Sequence, residues 1–80
     1  MKNTLQAKNK KHQANFKRAL SWLIKHNSFN DLRDIAEGEG NLKQYDKINK
    51  KCESSFDKFL DYMEELPKYE QNKIYKSELY

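Results

Sequence analysis

The chain has 80 residues, 36% hydrophobic and 35% charged, with a formal net charge of +4 and one cysteine. A chain of this size makes one domain at most and buries only about 60% of the surface its unfolded form exposes, so its core is thin. Two glycines and one proline are too few for the turns of a barrel or sandwich.

Charge is unevenly placed. The first thirty residues carry seven Lys or Arg and no acid, whereas the other fifty carry nine cations and twelve anions. A field of this kind attracts phosphate backbones, anionic lipid or an acidic protein surface. Cys52 has no partner for an internal disulfide, which fits a reducing, cytoplasmic setting. No apolar run approaches the roughly 20 residues needed to cross a bilayer, and the start lacks the hydrophobic stretch of a signal peptide.

In chain order, residues 1–9 read as a basic N-terminal arm, flexible unless a partner holds it, and 10–80 as a single helical domain. A first helix is expected from about Lys10 to His26. Phe16, Ala19, Leu20, Leu23 and Ile24 recur at three- and four-residue steps and form its apolar face. Lys11, Arg18 and Lys25 follow at seven-residue spacing on the opposite face, with Lys10 and Lys17 beside them and Trp22 at the border. Asn27 and Ser28 interrupt the pattern, and Ser28 to Asp31 has capping-box spacing. A short second helix is therefore expected over about Phe29 to Glu37, burying Phe29, Leu32, Ile35 and Ala36, and closed by Gly38-Glu39-Gly40.

Asn41 to Gln44 repeats the capping spacing and opens a long third helix, expected to reach Leu66 before Pro67. Its stripe is Leu42, Tyr45, Ile48, Cys52, Phe56, Phe59, Leu60, Met63 and Leu66. Several of these steps are seven residues, as in a seam facing a partner helix or a dimer mate. Lys43, Lys47, Lys50 and Lys51 crowd its first half, and Glu53, Asp57, Asp61, Glu64 and Glu65 its second. That order opposes the helix dipole and suits antiparallel pairing of a basic half with an acidic one. Residues 68–80 fit either a short helix or an extended return. The fold class is all-α, a small three- or four-helix bundle with one long central helix.

Chemistry-bearing motifs are sparse. His12 and His26 have no metal-ligand spacing, and Cys52 has no base near it in sequence, so no metal, cofactor, catalytic residue or small-molecule substrate is expected. The acids of helix three read as a solvated or partner-facing surface, since no Gly-rich loop or pocket accompanies them. The basic helix is the most informative feature: Lys10, Lys11, Lys17, Arg18, Trp22 and Lys25 form a candidate nucleic-acid-binding set, with Lys43, Lys47, Lys50 and Lys51 as a second basic patch. Asn9, Gln13 and Asn15 are candidates for base-edge hydrogen bonds. Helix two, the glycine turn and the start of helix three have the lengths of a helix-turn-helix, although Asp31, Asp34, Glu37 and Glu39 would repel phosphates beside it.

The expected function is that of a small non-enzymatic regulator binding nucleic acid, double-stranded DNA first, as a homodimer and without membrane association. The alternative is a protein-binding inhibitor or adaptor, antitoxin-like or mimicking nucleic-acid charge, that uses Asp57, Asp61, Glu64, Tyr69 and Tyr75.

Overall fold

The computed structural model describes residues 5–80. A 3-10 turn at Lys10–His12 leads into one continuous α-helix, α1 (Gln13–Gly38). After a three-residue turn the chain returns as α2 (Leu42–Glu64), and Pro67 introduces a short α3 (Lys68–Tyr75). The fold is all-α, with two long helices packed against each other rather than one central rod. Lys58 lies over Trp22, Cys52 touches His26 and Asn49 meets Arg33, so the two helices run antiparallel.

The expected break at Asn27 and Ser28 does not occur. Neither residue is Gly or Pro, and each costs a helix only several tenths of a kcal/mol. Packing of both halves of α1 along α2 outweighs that preference. Asn27 does not cap; its side-chain amide donates to the Leu79 carbonyl at 2.8 Å and ties down the C-terminal tail. Because helix two is not a separate unit free to rotate, its expected apolar stripe is not all buried. Ala36 is buried and Phe29 half-buried, but Leu32 and Ile35 are 48% and 58% exposed. Ile24, Leu42 and Leu60, expected in the apolar stripes, are also exposed. The same continuity removes the helix-turn-helix, since the segments proposed for it belong to a long antiparallel hairpin.

The glycine turn closes α1 as expected. Gly40 takes φ 71°, its N–H donates to Glu37 and the Asn41 N–H donates to Ala36, the paired bonds of a Schellman cap. The Asn41 side chain then accepts from the Gln44 N–H at 3.2 Å and opens α2. A Cβ on either glycine would meet no atom within 4 Å, so backbone conformation alone decides the effect of substitution. Gly40→Ala should cost about 1–2 kcal/mol. Gly38→Ala, in helical conformation, should raise stability by up to about 1 kcal/mol. Urea unfolding of the two variants checks this opposition of sign.

The charge order of the third helix finds its answer within one chain. The basic half of α1 lies beside the acidic half of α2, and the turn-proximal lysines of α2 lie beside the acids at the end of α1. The seven-residue seam of α2 faces α1: Ile48, Cys52, Phe59 and Met63 are buried, as is Leu66 just beyond the helix.

The main core sits at the open end of the hairpin. Phe16, Ala19 and Leu23 of α1 meet Phe59, Met63, Leu66 and Ile74, with Leu5, Ala7, Leu20, Trp22, Phe56, Tyr62 and Leu79 packed around them. Each large buried apolar side chain contributes about 1.5–3 kcal/mol here. Gln71 of α3 donates to the Met63 and Leu66 carbonyls, both at 2.8 Å, and so ties α3 to the end of α2, where the Met63 oxygen also accepts from the Leu66 N–H.

Residues 5–9 of the expected arm are held by the chain itself, whereas residues 1–4 lie outside the described residues. The Ala7 N–H donates to the Gln13 side chain at 2.9 Å, and Lys73 donates to the Gln6 carbonyl. The Lys8 and Asn9 N–H groups donate to the two carboxylate oxygens of Glu70 at 2.8 and 2.9 Å. Glu70 is fully buried, an acid that no sequence pattern marked. Burial pushes its carboxyl pKa up, but the two amide bonds, with Lys73 and His12 nearby, outweigh this and hold it below the ordinary glutamate value.

Candidate nucleic-acid interface

The basic set divides between two elements. Lys10 and Lys11 stand exposed in the 3-10 turn, whose start is fixed by Asn9: its side chain accepts from the Lys11 N–H at 3.0 Å. Lys17, Arg18 and Lys25 are exposed on α1. Arg18 and Lys25, seven residues apart, share a flank, while Lys17 stands about 100° around the helix from Arg18.

Trp22 holds the border position expected of it. It packs against the core while its ring lies under two ammonium groups, Lys25 at 4.5 Å and Lys58 at 5.7 Å from the ring centroid. Such contacts are worth about 0.5–1 kcal/mol each at exposed sites, enough to bias where a mobile lysine rests. Lys58 was not among the expected site residues because it sits within the acidic half of α2. The available signal was its seven-residue step from Lys51, which places both on one flank.

The second basic patch, Lys43, Lys47, Lys50 and Lys51, is exposed on the turn-proximal half of α2. Lys47 and Lys51 continue to Lys58 at four- and seven-residue steps, so part of this patch shares a flank with the lysine at Trp22. The face has a boundary. Asp61 and Glu65 line a cleft of about 310 Å³ with Lys58 and Tyr62, so negative charge begins one turn beyond Lys58.

Two of the three expected base-edge residues are engaged elsewhere. The Asn9 oxygen caps the 3-10 turn and the Gln13 oxygen binds the Ala7 amide, because the N-terminal segment folds back rather than extending. Asn15 is half-buried on α1.

The expected partner-binding residues also separate. Asp57, Asp61, Glu64 and Tyr75 line one cleft of about 570 Å³ between α2 and α3, together with Leu60, Met63 and Gln71. Tyr69 instead borders a cleft of about 580 Å³ with Lys8, Asn9 and Lys10, its ring edge-on to His12 at 6.4 Å between centroids.

The hairpin brings His26 to Cys52, a neighbourhood invisible at their 26-residue separation. His26 Nδ1 lies 3.0 Å from the Cys52 carbonyl and 3.3 Å from its Sγ. A carbonyl oxygen only accepts, so that contact places a proton on Nδ1 and leaves this nitrogen unable to act as a base toward the thiol. Cys52 is buried, and the pair ties α1 to α2. Among the described residues no group of three His, Cys, Asp or Glu is placed to hold a metal ion, and no helix is long and apolar enough to cross a membrane.

No protein-family model, curated protein or solved structure matches this chain.

Proposed function

We propose that this chain is a small non-enzymatic regulatory protein that binds nucleic acid, double-stranded DNA first, through a basic face built on Lys10, Lys11, Arg18, Trp22, Lys25 and Lys58. The observation that carries this reading is the convergence of Lys25 and Lys58, exposed residues of different helices, on the half-buried ring of Trp22. An indole that restrains two ammonium groups lowers the entropy lost when they meet phosphates. The mode is backbone contact rather than base readout, since the Asn9 and Gln13 side-chain oxygens serve the protein's own amides. Titration of a labelled random-sequence duplex by fluorescence anisotropy should give a Kd of roughly 1–100 µM near physiological salt, similar between sequences. No binding at several hundred micromolar would contradict the reading.

A second reading, capture of a basic protein partner, is favoured by the cleft of Asp57, Leu60, Asp61, Glu64 and Tyr75, where carboxylates surround exposed Leu60 and Tyr75. Removing Asp61 and Tyr75 together should abolish capture of such a partner in a nuclease-treated pull-down. Retained capture defeats this reading.

A further inference from the structure

Glu70 has no part in the proposed contacts, yet it is the most buried charged side chain among the described residues, at 0% exposure. Its surroundings are specific. One carboxylate oxygen accepts from Lys8 and the other from Asn9, at 2.8 and 2.9 Å, across more than sixty residues of sequence. The residues it grips open directly into the 3-10 turn that carries Lys10 and Lys11. On either side the same segment is fastened by the Gln13 side chain at Ala7 and by Asn9 at Lys11. Lys73 of α3 reaches back to the Gln6 carbonyl, so α3 contributes both an acceptor and a donor to the segment.

We infer that Glu70 is a positioning residue: it latches the N-terminal segment onto α3 and so fixes where Lys8, Lys10 and Lys11 present their charge to a polyanion. The inference rests on the proposed function for its consequence, although the latch itself does not. A carboxylate bound by two main-chain amides sets the course of the backbone, whereas a contact between flexible side-chain tips leaves the backbone free. With the latch intact, the cations of the 3-10 turn reach phosphates as part of one body with Arg18 and Lys25. Released, the segment must be ordered again on binding, which weakens association.

The test exploits an opposition of sign. Glu70→Gln removes a negative charge, so electrostatics alone predicts tighter duplex binding, as expected of the control Glu65→Gln at an exposed acid beside Lys58. Positioning predicts the reverse: Glu70→Gln weakens duplex binding about 3- to 10-fold and lowers the steepness of its salt dependence, while Glu65→Gln tightens it. In NMR hydrogen exchange the Lys8 and Asn9 amides should be protected in the unaltered chain and exchange at least tenfold faster in Glu70→Gln. If that variant does not fold, Glu70→Asp keeps the charge but shortens the reach, and it should show the same loss of amide protection and of affinity. The inference is overturned if these amides are unprotected in the unaltered chain, or if Glu70→Gln binds duplex as tightly as Glu65→Gln. Absence of duplex binding by the unaltered chain would remove the proposed function and this consequence together, while protected amides in that protein would leave the latch standing.

Discussion

Phe59→Ala is expected to lower stability by about 3–5 kcal/mol, the usual cost of emptying a fully buried phenylalanine site. The ring is 0% exposed and sits where both long helices and the C-terminal tail meet, with Phe56 at 5.5 Å and Tyr80 at 6.2 Å between centroids. Its neighbours come from three elements tied by separate hydrogen bonds, so collapse around the cavity would have to move all of them. A domain of this length has roughly 4–12 kcal/mol in total, and the variant should be partly or wholly unfolded at 25 °C. Urea unfolding followed by circular dichroism reads the loss directly. Leu42→Ala, at a side chain 75% exposed, is the matched comparison and should change stability by less than about 0.5 kcal/mol. A small loss for Phe59→Ala would mean that the core lies elsewhere.

The second large effect is on binding. The triple substitution Lys11→Ala, Arg18→Ala and Lys25→Ala removes three exposed cations and should leave the fold intact. If each meets a phosphate, each loss lowers the salt exponent by about 0.9, and affinity in 0.1 M salt should fall by about one to two and a half orders of magnitude. The weakening should be similar for all duplex sequences, because phosphate contacts position without reading. Anisotropy titrations of the variant and the unaltered chain measure it, and unchanged affinity would remove these residues from the interface.

Helical content and the long α2 were legible because their apolar residues keep helical spacing over several turns and end at glycine or proline. The Asn41 cap was legible for the same local reason. The continuity of α1 past His26 is not legible locally, because Asn27 and Ser28 look like a boundary when read in isolation. Their preference for non-helical backbone is weaker than the packing of a continuous α1 on α2. A continuous α1 leaves Leu32 and Ile35 outside the core that a separate second helix would have brought them to.

Non-local pairings had no local signature. Glu70 reads as one more acid in a polar tail until α3 folds beneath residues 8 and 9. His26 and Cys52 meet only once the hairpin closes. Lys58 is hidden in the sequence by the acids around it, and only the antiparallel register of α1 and α2 brings it to Trp22. The basic residues of α1 needed no such information, because a run of thirty residues without an acid is visible at any level of folding.

Phosphate contact is the physical claim on which the functional account depends, and the salt dependence of duplex binding by the unaltered chain measures it most directly. Between about 50 and 200 mM salt, log Kd should rise linearly with log salt, with a slope near 4 for four to five phosphate contacts. A slope near zero, or no duplex binding at the lowest salt, would contradict the account.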